Sequence, residues 1–363
     1  MGWMNYLIGV EREGLRIRHN GKLAETPHPS EFGDRLENPL IGTDFGDAML
    51  ELRTYPQENA ESCYRELLAV TRKALKLLYE KEELLWPYSL PYELPDEAHF
   101  PYNPYPGRPD LEEHERLISK IYGLRRNCIC GIHVNFSISD AMFAKMRSEY
   151  PSVPSDKDEA YLKCARQVLQ HEAALRYFFD ASPTDYAYHL IQENSWRNGP
   201  EGFRNEKAKM LDYCSMTAYL QSLKQTASYE RLSAVRLKSK DKESFDEGIA
   251  QHGVERIEFR LCDIDPFDIC GISLYEMELV VAVLFSCMVT DAFPNDPAGV
   301  LSVCADTDRR LRLGLKRSIR FYREQEAAGC KKSERVRNLF RENGAEGLLE
   351  LALQYGKQCS ENR

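Results

Sequence analysis

No glycine-rich phosphate loop and no Gly-x-Gly-x-x-Gly fingerprint occurs anywhere in the 363 residues, so this chain has no glycine cradle for phosphate. Any phosphate would have to be held by metal ions and arginines. Long apolar runs are missing as well: the longest, Leu279 to Val289, is too short for a membrane span. Positive charge is not in excess. A formal net charge of -9 argues against nucleic acid as a partner, and the run Asp308-Arg309-Arg310-Leu311-Arg312 sits in a helical pattern as a solvated face. No secretory signal opens the sequence, and the 11 cysteines are odd in number, scattered and flanked by apolar residues. A cytoplasmic protein with reduced thiols and no disulfide framework is expected.

The bulk composition, 43% hydrophobic and 29% charged, is that of a soluble globular protein able to bury one large core or two modest ones. The informative feature is a set of polar residues on short strand-like segments: Gly9-Val10-Glu11-Arg12-Glu13, Thr43-Asp44-Phe45 with Glu51 beyond, Gly131-Ile132-His133-Val134-Asn135, and Ile257-Glu258-Phe259-Arg260. Strand side chains alternate, so Glu11 and Glu13 share one face while Ile8, Val10 and Arg12 share the other. The same rule pairs Glu51 with Arg53, His133 with Asn135, and Glu258 with Arg260. Two readings fit. Acidic residues on a strand are commonly the solvated face of an antiparallel sheet. Convergence of the four segments would instead make a magnesium nucleotide site, with Arg260 placed to contact what the metal binds.

Cys128-Ile129-Cys130-Gly131-Ile132-His133 contains zinc-type ligands. On a strand the two thiols face away from the imidazole, so core cysteines are expected. Asn20-Gly21 signals a tight hairpin between Arg16-Ile17-Arg18 and Lys22-Leu23-Ala24. Helical spacing then runs from about Asn59 to Leu85, ended by Trp86-Pro87. Six prolines from Pro91 to Pro109, interleaved with Tyr92, Phe100, Tyr102 and Tyr105, make an ordered loop that is either an active-site lid or packed surface. Helices follow over Leu111 to Tyr122 and Asp158 to Phe179. Ser273-Leu274-Tyr275-Glu276 forms a capping box for an apolar helix through Val289, and Ala305 to Gln354 reads as amphipathic helices.

Together with Glu37-Asn38-Pro39, Leu50-Glu51-Leu52, Leu85-Trp86-Pro87-Tyr88-Ser89-Leu90-Pro91, Phe179-Asp180-Ala181-Ser182-Pro183 and Leu261-Cys262-Asp263-Ile264-Asp265-Pro266-Phe267, the four segments resemble bacterial glutamate-cysteine ligases in order and spacing. The resemblance runs from about Leu7 to Val289. It is nearest to the ligase half of bifunctional glutathione-making enzymes, without their ATP-grasp half. It implies an α+β, glutamine-synthetase-like fold: a curved, mainly antiparallel sheet forming a funnel surrounded by helices. One catalytic domain over residues 1–363 is expected, with a core to about 290 and C-terminal helices over 291–363.

The implied reaction uses ATP to phosphorylate the side-chain carboxylate of glutamate, after which an amine attacks the acyl phosphate to give a γ-glutamyl amide. Carried over by motif, Glu11, Glu13, Asp44, Glu51, His133 and Glu258 are the ligands of two or three Mg²⁺ ions, and Glu258 and Arg260 the catalytic residues, with Arg260 on the transferred phosphate. Arg197, Asn135 and Asn127 are the glutamate-binding residues. Small molecules are the only partners implied, with neither nucleic acid nor membrane, and a monomer or homodimer is expected. Cysteine is the family's acceptor. The family's acceptor pocket departs here at His114 and Glu115 in place of a Tyr-Arg pair, and at Phe203 and Leu232 in place of tyrosines. A ligase for another amino acid or small amine is therefore an alternative, and a non-catalytic nucleotide- or glutamate-binding relative a further one.

Overall fold

The computed structural model describes residues 5–202, 211–226, 233–240 and 245–361. Seven strands, β1 (Tyr6–Arg18), β2 (Ile41–Thr43), β3 (Met49–Arg53), β4 (Glu83–Leu85), β5 (Ile132–Ile138), β6 (Val235–Lys238) and β7 (Arg256–Cys262), form one sheet. Its order is β2-β3-β1-β5-β7-β6, with β4 beside the far half of β1. All named pairs are antiparallel. The expected antiparallel sheet among helices is present, as an open path with β2 and β6 at its ends.

Alternation gives the sheet two unlike faces. Val10, Val134, Phe259 and Val235 are direct cross-strand neighbours and all buried. This apolar face is covered by the helices Ala60–Glu80, Lys157–Gln170 and Leu274–Val289. Tyr6, Phe136 and Phe285 close one part of that layer, with Phe136 and Phe285 edge to face at 5.0 Å. Leu274–Val289 is buried along almost its whole length, and the Ser273 side chain accepts from the Glu276 amide as the capping box requires.

Asn59 caps the helix that follows β3 by accepting from the Ser62 amide. The helix stops at Glu80, earlier than the periodicity predicts. Glu82 takes a positive φ of 60°, and Glu83–Leu85 leave as a strand against β1. The apolar Leu84 and Leu85 fit a helix pattern equally well, and only pairing with β1 separates the two. The Asn20-Gly21 hairpin forms as expected, with Arg18 N–H donating to Lys22 O at 2.8 Å. The helical stretch up to Phe179 is two helices, Lys157–Gln170 and Glu172–Phe179, broken at His171.

Two buried ion pairs tie distant segments to this frame. Arg16 is fully buried. It donates to Glu83 Oε2 at 2.9 Å, to Thr26 Oγ1 at 3.1 Å and to the Asp47 carbonyl at 3.3 Å. It thereby fastens the turn between β2 and β3 to the sheet. Lys332, at the start of the helix Lys332–Asn343, reaches Glu276 at 2.8 Å and the Asp263 carbonyl at 3.4 Å. The last helix, Glu346–Glu361, lies on Ala60–Glu80, and Tyr355 donates to the Pro266 carbonyl at 2.9 Å.

Removing one partner of a buried pair strands the other charge. Glu83→Ala is expected to lower stability by about 3 kcal/mol, read as a shift in the urea midpoint. A loss below about 1 kcal/mol would mean that the backbone acceptors alone satisfy Arg16.

Candidate active site

Cross-strand register, which the sequence does not reveal, assembles the polar face. Glu13 stands opposite Glu51, Glu11 opposite His133, and Asn135 and Arg236 on either side of Glu258. Between Ile132 and Val134 the pairing with β7 slips: Ile132 faces Cys262 but Val134 faces Phe259, so Arg260 and Leu261 share the place opposite His133. Such a bulge re-aims side chains. Here it leaves Arg260 NH1 3.3 Å from His133 Nδ1 and 3.1 Å from Glu258 Oε2.

A cavity of about 530 Å³ opens over this face. Glu11, Glu13, Asp44, Glu51, His133, Arg236, Lys238, Glu258 and Arg260 line it from the strands and the turn after β2. The rest of its wall comes from Phe45, Tyr105, Gly202, the helix Pro109–Tyr122 through Leu111, His114, Glu115, Ile118 and Tyr122, and the segment holding Arg126, Asn127 and Ile129. Glu13, His133 and Glu258 are at most 5% exposed, so the solvated-face reading of these acids does not hold.

One ligand atom each from Glu11, His133 and Glu258 fall within 4.8 Å of one another, the spacing that a shared cation allows. The imidazole is poorly served without one. Arg260 can only donate to Nδ1, whereas the 3.4 Å contact between Nδ1 and Glu11 Oε2 needs a proton on that nitrogen. One nitrogen cannot serve both. The buried Nε2 has no hydrogen-bond partner among the described residues and stands 3.5 Å from Glu13 Oε1. Burial and the charge of Arg260 push the His133 pKa down to about 4, which keeps the ring neutral and its lone pair available. Hard oxygen donors with one neutral imidazole fit a divalent cation.

The carboxylates divide by their neighbours. Burial raises Glu258, but Arg260 and Lys238 outweigh it and hold the acid well below its ordinary range; Lys238 Nζ touches Glu258 Oε1 directly. Burial and Glu258 raise Glu11, and His133 and Lys238 more than offset them. Burial and then Asp44 push Glu13 up to about 8, although the Gly131 amide donates to its Oε2 at 2.7 Å. Desolvation inside the cavity raises Asp44, although its side chain stays open to solvent, and raises the half-buried Glu51, which also has Glu11 and Asp44 next to it.

Asn135 and Arg197 do not line the cavity. Asn135 donates to Glu11 Oε1 at 3.0 Å and accepts from Arg256 Nε at 3.0 Å, an arrangement that orients Glu11. Arg197 is fully buried, 3.7 Å from Asp263 Oδ1, and donates to Asn198 Oδ1 at 3.2 Å. It lies so close to Gly131 that a Cβ there would stand 2.2 Å from its NH2, so only glycine fits. Glu115 lines the wall with its carboxylate occupied: it accepts from the Gly46 and Asn103 amides at 3.2 and 3.1 Å and from the Tyr105 hydroxyl at 3.1 Å. Phe203 and Leu232 lie outside the described residues. Cys128 and Cys130 are core thiols as expected, though they precede the strand instead of lying on it.

Three basic residues of the cavity escaped the sequence reading. Arg236 and Lys238 alternate with Val235 and Leu237, a strand signal on a segment too short to stand out. Arg126, in the short helix Leu124–Asn127, carries no pattern at all.

Residues 2–232 and 220–303 match the sequence profile of a family described as glutamate-cysteine ligase. A bifunctional glutathione biosynthesis protein of Listeria monocytogenes is 32% identical over 312 residues, covering 78% of this chain and 40% of its own length. The chain thus spans well under half of such relatives. A glutamate–cysteine ligase of Clostridium acetobutylicum is 28% identical over 380 residues, covering 87% of this chain and 78% of its own length. Among solved structures, a bifunctional glutathione synthetase from Pasteurella multocida superposes with a TM-score of 0.84 at 24% identity, covering 99% of this chain and 53% of that one. A glutamate–cysteine ligase from Francisella tularensis in complex with AMP gives 0.86 at 20% identity, covering 100% and 90%. These two likenesses establish the shared fold.

The raised acids set a sign. Glu13 holds its proton more tightly folded than unfolded, so its contribution is complete below about 4.5 and is lost as pH rises towards about 8; Asp44 and Glu51 act in the same direction. Glu11 and Glu258 act oppositely, losing stability as pH falls below the usual carboxylate range. Without divalent cation, Tm is expected to fall between pH 5 and 8, and millimolar Mg²⁺ to recover at least about 3 °C at pH 8. A flat profile with no response to cation in differential scanning fluorimetry would contradict this assignment.

Proposed function

The chain belongs to the glutamate-cysteine ligase family, and from that premise we propose that it is an ATP- and Mg²⁺-dependent ligase that joins the side-chain carboxylate of glutamate to an amine. The observation that carries the reading is one cavity in which carboxylates able to hold cations face Arg236, Lys238 and Arg260.

ATP and glutamate are both anionic, and bringing them together requires dense positive charge. Arg260, Arg236 and Lys238 supply three cations fixed on two adjacent strands. Arg260, aimed by the bulge, is assigned to the transferred phosphoryl group, where a guanidinium stabilises charge that develops in the transition state. Lys238 rests on Glu258 and lines the same cavity, where it adds positive charge for the phosphates. Glu11, Glu13, Asp44, Glu51, His133 and Glu258 are the residues that would hold Mg²⁺, which supplies charge neutralisation and alignment of the reacting oxygens. Asn135 keeps Glu11 in place, and Arg197, behind Gly131, keeps positive charge under Glu13. Asn127 is assigned to glutamate from the cavity wall.

The steps balance simply. A δ-carboxylate oxygen of glutamate bonds to the γ-phosphorus as ADP departs, giving γ-glutamyl phosphate. The amine nitrogen then bonds to Cδ and the carbon–oxygen bond to phosphate breaks. Phosphate leaves with the electron pair, and the surplus proton of the nitrogen goes with it or to solvent. In the relatives named glutamate–cysteine ligase the acceptor is cysteine, the family default.

The direct test is phosphate release from Mg-ATP that requires both glutamate and an amine, with the products weighed by mass spectrometry. Glu11→Gln keeps the shape and removes one charge; turnover is expected to drop at least about a hundredfold. A variant turning over within about threefold of the parent would remove Glu11 from the mechanism.

A further inference from the structure

We propose, resting on the ligase reading above, that the wall formed by Leu111, Ile118 and Ile129 together with Arg126 is an acceptor site for an α-amino acid with a branched apolar side chain larger than that of cysteine.

The argument is an inventory of that wall. Leu111 and Ile118 lie on the helix Pro109–Tyr122, seven residues apart and therefore on one side of it, and both line the cavity beside Ile129. Three of the polar side chains among them, Glu115, Tyr105 and Asn127, are already engaged, and His114 lies on the same helix between Leu111 and Ile118. The Glu115 carboxylate accepts from two amides and the Tyr105 hydroxyl, and Asn103 Nδ2 adds a further contact. The Tyr105 hydroxyl also accepts from Asn103 Nδ2 at 3.1 Å. Asn127 Nδ2 donates to the Ile118 and Gly123 carbonyls at 3.1 and 3.0 Å. This network fixes the wall's shape and leaves branched carbon, with the His114 imidazole beside it, as its recognition surface.

Arg126 is the exception. Its guanidinium reaches the cavity, about a quarter exposed, and its ion-pair partner is Glu201 at 3.4 Å, itself 71% exposed. An exposed pair of that length is weak and readily exchanged. A substrate carboxylate can take the guanidinium in two-point geometry, which lysine or histidine could not reproduce. An α-carboxylate on Arg126 and an apolar side chain against Leu111, Ile118 and Ile129 orient an amino acid by two ends. Its amino group is then the reacting nitrogen, and the bond changes are those given above. Added methylenes gain contact with Leu111, Ile118 and Ile129.

The experiment compares kcat/KM for cysteine, 2-aminobutyrate, valine and leucine, and for isoamylamine, which is leucine without its carboxylate. Hydroxylamine trapping of γ-glutamyl phosphate from Mg-ATP and glutamate, with no amino acid present, tests the parent reading separately. Valine or leucine is expected to exceed cysteine by about tenfold or more, and leucine to exceed isoamylamine by a similar factor. Arg126→Ala should collapse the leucine-to-isoamylamine ratio towards one, mainly through KM for leucine, while Arg126→Lys retains part of it. Cysteine equal or superior to leucine would overturn the assignment of the apolar wall. A leucine-to-isoamylamine ratio unchanged in Arg126→Ala would overturn that of Arg126. Failure to trap any hydroxamate would sink the glutamate-activation reading, and this one with it.

Discussion

Like charges placed side by side in a buried surface are the constraint on which this molecule turns. Five carboxylates meet over one face of a sheet: Glu13 and Glu258 are buried, Glu11 and Glu51 half-buried, and Asp44 stands at the exposed rim. The protein neutralises one flank itself: Glu258 has Arg260 at 3.1 Å and Lys238 in contact. The other flank, Glu13, Asp44 and Glu51, has the 3.4 Å contact from Arg53 to Glu51 as its closest ion pair among the described residues, and its acids are pushed towards protonation. The two flanks shift in opposite directions because counter-charge is unequally shared. A site that must admit polyphosphate and cations together is better left incomplete than fully paired.

Everything behind that face serves to hold it. Val10, Val134, Phe259 and Val235 form a continuous apolar row that locks four strands in register, and a slip of one residue would turn the acids into the core. Arg16 secures the turn that follows Asp44, and Phe100 packs on Phe45 with ring centroids 5.3 Å apart, which anchors part of the proline-rich loop as wall. The site is stiff because its supports are buried.

Period-two alternation made the two faces of the strands legible from sequence, and with them Glu11, Glu13, His133 and Glu258 as one polar set. Cap and hairpin chemistry placed Ser273 and Asn20-Gly21 correctly, because those signals act within a few residues. Register and the bulge at Arg260 were not legible, since both depend on pairing between strands apart in the chain, more than a hundred residues apart where β5 meets β1 and β7. The strand Glu83–Leu85 was absorbed into the preceding helix because apolar triplets fit either period. Arg236, Lys238 and Arg126 were missed for a related reason: a cation on a short element is ordinary in sequence and becomes informative only beside a carboxylate cavity.

The Lys332–Glu276 contact has a bearing on where this protein can be cut. The sequence profile ends at residue 303, and every described residue of the cavity lies before it. A fragment drawn to that limit would look sufficient on paper. It would lack Lys332, leaving Glu276, only 1% exposed, as a lone buried acid, and freeing the Asp263 carbonyl in the same residue whose carboxylate stands by Arg197. The boundary of the family profile and the boundary of a working unit are therefore different places, and a minimal version of this protein must be drawn by its buried counter-ions.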